Sequence, residues 1–344
     1  MTLQHAETSA DRVTLAAVAE EAGVSLSTIS KVLNGRTDVS ATTRSRVEQL
    51  LKQHGYSRRG GRAVAKTDLI ELVFHELDSI WAMELIVGVE SVAKEHGLSV
   101  VLTESGDQHS PAPDWIEGVM RRRPVGVVLV FSDLAPHYRE RLKSRAIPFV
   151  IVDPAGDPSP EAPSVGSANW SGGLMATRHL IELGHTRIAA ITGPDHMMCS
   201  LARLDGYRTA MNSAGLTIDP AWIRFGDFHV QGGRSHTEEL LALPNVPTAI
   251  FAGSDLQALG TLEAVRASGL RVPEDVSIVG YDDIPPARWV SPALTTVHQP
   301  LRRMGAEAAS LAIRMGREGL PSIPRMDLAT SLVVRQSTAP PPAA

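Results

Sequence analysis

The chain has 344 residues, 43% hydrophobic and 21% charged, with a formal net charge of −5 and mean hydropathy near zero. That is more than one core usually spans, so two or three domains of an ordinary folded chain are expected. No apolar run nears the roughly 18 residues that span a bilayer, Met1–Asp11 lacks the pattern of a secretory signal, and one cysteine, Cys199, closes neither a disulfide nor a zinc cluster, which excludes membrane, secreted disulfide-rich and zinc-finger readings.

The charge is unevenly spread. Residues 1–66 hold ten Lys/Arg and six acids, a formal +4; residues 67–344 hold 23 and 32, a formal −9. A small basic end on an acidic body points to a polyanion-binding module joined to something else.

Taken in chain order, Thr14 is an N-cap candidate, and Leu15, Val18, Ala19 and Ala22 follow at the spacing of one apolar helix face. Gly23 ends that helix, and Ser25 caps a second, whose buried side is Ile29, Val32 and Leu33. Its other side carries Ser27, Ser30, Lys31 and Asn34, all able to hydrogen-bond. Ser40 opens a third helix through Val47, Leu50 and Leu51, with Arg44 and Arg46 outside. Two short helices joined by a glycine turn and braced by a third form the helix-turn-helix plan, in which the second helix enters the major groove.

The text VTLAAVAEEAGVSLSTISKVLNG, Val13 to Gly35, followed by VSATTRSRVEQLLKQHGY, resembles the LacI/GalR family of bacterial transcription regulators. By that resemblance the base-reading positions fall on Leu26, Ser27 and Lys31. Thr28, Ser30 and Asn34 match positions that touch the backbone or support the fit. Thr14, Ser25, Arg44 and Tyr56 complete the DNA-contacting set at helix ends and beside them. Leu26 and Ser27 cannot make the bidentate adenine contact of Asn or Gln; Leu26 can meet a thymine methyl and Lys31 can donate to guanine.

The segment after Tyr56 departs from the family pattern. Relatives follow that tyrosine with Pro-Asn and a hinge helix that wedges a leucine into the minor groove. This chain reads Ser57-Arg58-Arg59-Gly60-Gly61-Arg62-Ala63-Val64-Ala65. Two glycines disfavour helix by about 1 kcal/mol each, so Arg58, Arg59 and Arg62 are expected to meet the minor groove or phosphates in place of a wedge.

From Asp68 onward, continuous apolar segments alternate with amphipathic ones. Candidate strands are 69–74, 99–102, 125–131, 148–152, 188–192, 248–252 and 276–281; helical stretches include 82–96, 172–183, 202–214 and 256–268. That alternation predicts parallel sheets covered on both faces, in two doubly wound subdomains with a ligand cleft at the carboxyl ends of their strands. Arg121, Arg122 and Arg123, before Pro124 and a buried strand, read as a solvated helix end.

The body also resembles the family's sensor, of the periplasmic-binding-protein type, through SANWSGGLMATRHLIELGHTRIAAITGP, FAGSDLQALG, VPEDVSIVGYDDIP, PALTTVHQP and LATSLVVRQST. The implied organisation is a DNA-binding head at 1–57, a basic linker at 58–67 and a sensor at 68–338. Its N-subdomain would be about 68–166 and 300–325, its C-subdomain about 167–296 and 326–338, and 339–344 a disordered tail.

The resemblance places Asp153, Arg203, Ser254, Asp255 and Asp282 among effector-binding positions, with Trp81 and Phe228 as stacking aromatics. Strand-end carboxylates suit bidentate binding of hydroxyls, and aromatic faces suit the C–H face of a pyranose. Asp255 is equally read as a helix cap, and Trp170 and Trp289 are weaker stacking candidates that read more as core than as ligand wall. Met197, Met198 and Cys199 stand where relatives present serines or an arginine, which disfavours a phosphorylated or purine ligand and favours a neutral mono- or oligosaccharide.

No HExxH, GxSxG, Walker A loop or GxGxxG occurs, so no catalytic, metal or cofactor site is expected. No leucine heptad ends the chain, so the expected assembly is a homodimer on a palindromic operator. The expectation is a cytoplasmic repressor of carbohydrate-utilisation genes; the alternative is a sugar-binding or transport protein without DNA activity.

Overall fold

A computed structural model describes residues 14–33, 39–54, 67–75, 77, 79–106, 114–130, 134–153, 162–318 and 325–342. The chain forms two compact units, one ending at Lys66 and one beginning at Thr67. Asn34, Tyr56, Arg58, Arg59, Arg62 and the missing-wedge position lie outside the described residues.

The first unit is α1 (Leu15–Ala22), α2 (Leu26–Leu33) and α3 (Ala41–Gln53). Each start is capped by a hydroxyl: Thr14 Oγ1 accepts from Ala17 N at 3.3 Å, Ser25 Oγ from Thr28 N at 3.2 Å, and Ser40 Oγ from Thr43 N at 3.2 Å. Gly23 stops α1 at φ 65°, a left-handed conformation that glycine adopts without the Cβ penalty. Val18, Ala19, Ala22, Ile29, Val32, Val47 and Leu51 close a core of their own, and His54 of the last turn pairs with Glu21 at 2.6 Å.

The second unit begins with β1 (Leu69–Phe74), α4 (Ile80–Glu95), β2 (Ser99–Glu104), α5 (Asp114–Arg122), β3 (Gly126–Val130), α6 (Pro136–Ser144), β4 (Phe149–Val152) and β5 (Ser164–Ser167). It continues with α7 (Asn169–Glu182), β6 (Ile188–Thr192), α8 (Met198–Ser213), β7 (Ile223–Phe225), α9 (Val230–Leu241), β8 (Ala249–Ala252) and α10 (Asp255–Ala267). Then come β9 (Ser277–Asp282), α11 (Pro286–Trp289), β10 (Thr295–His298), α12 (Leu301–Glu318), β11 (Arg325–Leu328) and β12 (Ser331–Val333).

Two six-stranded sheets result, ordered β11-β5-β4-β3-β1-β2 and β12-β10-β9-β8-β6-β7. Every pairing is parallel except β10 with β12. Buried clusters lie on both sides of each sheet, the first held by α4 and α12 on one face and α5 and α6 on the other. This doubly covered layering is what all-apolar strands require.

The chain crosses between sheets after β5, after β10 and after β11. The last crossing is later than the sequence boundary of 325/326, because Arg325–Leu328 pairs with Ser164–Ser167 and extends the first sheet. The tail is also better anchored than expected. Ser337 is fully buried, and Ala339 N donates to Ser277 Oγ at 3.0 Å while its carbonyl accepts from that hydroxyl and lies 2.9 Å from His185 Nε2. Polar groups at the buried bases of β8 and β9 supply partners that an isolated STAPPPAA segment does not reveal. Arg122, read as solvated, instead forms a bidentate pair with Glu71, fully buried in β1, and Glu71 also accepts from Thr103 at 2.7 Å.

Candidate functional site

In the first unit, α2 presents one side to solvent. Leu26 is 54% exposed, Ser27 and Ser30 are exposed, and Lys31 is half-buried. An exposed leucine beside hydroxyls and an ammonium is a poor core but a suitable edge for reading thymine methyls and guanine acceptors. Thr28 is held by Ser25, their hydroxyls 2.9 Å apart, which stiffens the first turn.

In the second unit the carboxyl ends of both sheets face a cleft. Clefts at the carboxyl ends of parallel strands, lined by converging polar and aromatic side chains, are where such sheets bind small molecules. Six of the seven effector positions line it: Trp81, Asp153, Arg203, Phe228, Ser254 and Asp282. Asp255 does not. It is fully buried, with Oδ1 accepting from the Thr296 hydroxyl at 2.6 Å and Oδ2 from Ile284 N at 2.9 Å, so it ties α10 to the loop after β9. Trp170 and Trp289 belong to neither core nor cleft; Trp289 is 75% exposed.

The centre of the cleft is a buried arginine. Arg203 Nε donates to Asn169 Oδ1 at 2.8 Å and Nη1 to the Gly253 carbonyl at 2.5 Å. Its guanidinium lies 3.7 Å from the centroid of the Tyr281 ring and 3.8 Å from Asp282 Oδ1. Asn169 also donates to Asp153 Oδ1 at 3.2 Å, so one side chain at a crossover joins a carboxylate of the first sheet to the arginine of the second. Trp81 Nε1 reaches Gln299 Oε1 at 3.4 Å, and Gln299 donates to Ser167 Oγ at 2.9 Å. Asn169, Ser167 and Gln299 all sit where the chain changes subdomain, which wires cleft side chains to the hinge. As single polar residues at the end of β5, the start of α7 and the loop after β10, they carry no periodic signal in the sequence.

Asp282 Oδ1 has no hydrogen-bond partner although it is buried. Burial pushes its carboxyl up to about 7, with Arg203 opposing and Asp153 reinforcing the shift. Asp153, Phe228 and Asp282 all hold positive φ (52°, 67° and 111°). Such strain in non-glycine residues concentrates at sites that grip ligands. Cys199 also lines the cleft, where burial, with Asp153 adding to it, pushes its thiol up to about 12. A thiol held protonated is a packing surface and a poor nucleophile. His75, Ser79, Asp227 and His229 complete the polar lining and were not singled out from sequence. Among the described residues, no group of three or more His, Cys, Asp or Glu is placed to hold a metal ion, and no helix is long and apolar enough to cross a membrane.

A DNA-reading helix on one unit and a two-subdomain small-molecule cleft on the other define a ligand-responsive transcription regulator. Residues 14–59 match the model for bacterial regulatory proteins of the lacI family, and residues 177–338 match that for a periplasmic binding protein-like domain. The chain is 37% identical over 338 residues to the HTH-type transcriptional regulator CelR of Thermobifida fusca, covering 95% of this chain and 98% of the relative. It is 32% identical over 331 residues to the HTH-type transcriptional repressor PurR of Haemophilus influenzae, covering 94% and 98%. Solved neighbours include a CelR–cellobiose complex (TM-score 0.72, 35% identity, 95% and 100% covered). Another is a lac repressor dimer bound to operator and an anti-inducer (TM-score 0.70, 28% identity, 96% and 100% covered). The chain belongs to the LacI family of DNA-binding transcriptional repressors. The alternative of a transport protein without DNA activity is set aside by the match at 14–59.

Proposed function

We propose that this regulator is a homodimeric repressor released or engaged by a neutral saccharide bound in the cleft. The observation that carries the reading is the pairing of hydroxyl-binding and stacking groups there: Asp153, Asp282 and Arg203 beside Trp81 and Phe228. Carboxylates and a guanidinium accept from and donate to hydroxyls in directed pairs, and aromatic faces cover the apolar side of a pyranose. Three carboxylates, counting Asp227, against one arginine make the cleft a poor host for a phosphate. Met197 and Cys199 add an apolar wall. Similarity to a protein solved with cellobiose makes β-linked glucose disaccharides the first compounds to try.

Ligand across the cleft would pull on Asn169 and Gln299 and so favour one angle between subdomains. A coupling of about 1–3 kcal/mol changes operator affinity roughly 5- to 150-fold. Dimerisation is assigned to the outer edges of the two sheets: α4 exposes Ile80, Met83 and Val87 at helical spacing, the outer strand β2 exposes Leu102, and the outer strand β7 with α9 exposes Phe225 and Val230. Exposed apolar residues along open sheet edges are otherwise an aggregation hazard and call for a partner. Within each protomer, Leu26, Ser27 and Lys31 are assigned to base edges and Thr14, Ser25, Thr28, Ser30 and Arg44 to phosphates or their support.

The test is isothermal calorimetry of the full chain with cellobiose, other neutral saccharides and sugar phosphates. Saturable binding of a neutral sugar, weakened in Phe228→Ala, is expected. Binding only of phosphorylated or purine ligands would overturn the reading.

A further inference from the structure

The two ends of the first sheet differ in charge. Its carboxyl end meets the cleft, where Asp153, Asp227 and Asp282 gather. All its strands are parallel, so the residues preceding each strand share the opposite end face. Hydrogen bonds tie those turns together. Thr67 N and Oγ1 donate to the carbonyls of Arg123 and Arg122, Ser99 N donates to Asp68 O, and Arg317 of α12 lies 3.4 Å from His96. On this face lie Lys94, Arg121, Arg123, Arg145 and Arg317, against Asp68, Glu95 and Glu318; all are exposed except the half-buried Arg123. Among the described residues of this face, five bases against three acids stand on a unit whose formal charge is −9.

The chain from the DNA-reading head joins the sensor on this same face, at Thr67. The joining stretch is residues 55–66. A positive face attracts backbone phosphates, with a screening length of about 8–10 Å.

We infer that this end face of the sensor, through Arg121, Arg123 and Arg145, is a second DNA-contacting surface that neutralises backbone phosphates flanking the operator. Guanidiniums on a tethered rigid body add affinity without reading bases, since phosphate contacts carry no sequence information. The surface supplies phosphate contacts from outside the small head, in a protein whose linker departs from the family's leucine wedge.

The experiment is a salt titration of DNA binding by the full-length protein, using fluorescence anisotropy with operator and with random duplex of equal length. Arg121→Gln/Arg123→Gln/Arg145→Gln is compared with Arg208→Gln/Arg234→Gln/Arg271→Gln, which removes the same charge from the second subdomain. Each phosphate contact contributes about 0.9 to the log–log salt slope. Loss of one contact per protomer of a dimer flattens the slope by about 2 and weakens binding roughly 60-fold at 0.1 M salt. The expected result is that loss, by the same factor on both duplexes, in the first variant only. Equal slopes for the two triple variants, or a loss confined to operator, would overturn the inference. Should the first triple variant fail to fold, Arg121→Glu and Arg145→Glu, each on an exposed turn, carry the same comparison.

Discussion

Asp282→Asn isolates the least comfortable group in the cleft. Its carboxyl is buried, one oxygen has no hydrogen-bond partner, and it titrates near 7 in the folded chain. In the unfolded chain an aspartate titrates near 3.9. Between those two values the folded state holds the proton and the unfolded state has lost it, so stability falls as pH rises from about 4 to about 7 and levels off above. Integrated from pH 5 to pH 8, this one carboxyl removes about 2–3 kcal/mol of stability. The asparagine removes the titration, and its other effects on packing around Arg203 do not vary with pH over this range. Urea melts of the sensor transition at pH 5, 6, 7 and 8 are therefore expected to show a gap between variant and wild type that shifts by about 2–3 kcal/mol in the variant's favour toward pH 8. Curves that run parallel would refute the placement of Asp282 as a buried carboxyl held mostly protonated until neutrality. The same variant loses a charge-assisted acceptor for ligand hydroxyls, worth about 1.5–3 kcal/mol or roughly 10- to 150-fold in affinity.

Four further outcomes follow from the same geometry. Met83→Glu with Val87→Glu places two charges on the exposed face of α4 and is expected to turn the dimer into monomer in analytical ultracentrifugation; an unchanged mass would move the interface elsewhere. Deleting residues 339–344 removes the partners that Ala339 gives to buried Ser277 and His185. At about 1–3 kcal/mol for polar groups left unpaired, the sensor should melt several degrees lower, and an unchanged Tm would show that the tail is dispensable. Lys31→Ala should relax base preference at one operator position, read in a competition assay against single-base variants. Phe228→Ala is expected to weaken saccharide binding by about 1–2 kcal/mol while the unliganded melt stays close to wild type, because the loss is of stacking on the ligand.

The legible parts of this fold are those with an unambiguous period. Leu69–Phe74 and Ile188–Thr192 are continuous apolar runs, and the structure gives both strands those same bounds. Ser164–Ser167 and Thr295–His298 were not read as strands. Their sequences, SVGS and TTVH, are half or more polar, yet they are largely buried because each strand lies inside its sheet with a neighbour on both sides. The first head helices were readable from their caps, since Thr14, Ser25 and Ser40 announce each start and Gly23 the first stop.

The cleft was legible through resemblance at six positions and misled at one. Asp255 follows a strand as Asp282 ends one, but its carboxylate turns into the core to meet Thr296 and Ile284. Nothing in a one-letter string separates those two aspartates. Backbone sign at Asp153, Phe228 and Asp282 is equally invisible, as it is imposed by the surrounding sheet ends. The hinge pair Asn169 and Gln299 acts through contacts across more than 30 residues of sequence in one case and 218 in the other, beyond any local pattern.

The central claim is that saccharide in the cleft controls DNA binding by the head. Operator affinity of the full-length dimer, measured by fluorescence anisotropy at fixed salt with and without saturating ligand, tests it directly. The ligand is the neutral saccharide that calorimetry identifies, with cellobiose first in the panel. The account predicts a change of roughly 5- to 150-fold, abolished by Arg203→Met and retained in the Arg208→Gln/Arg234→Gln/Arg271→Gln control. Operator affinity that stays the same while calorimetry shows the cleft filled would contradict it.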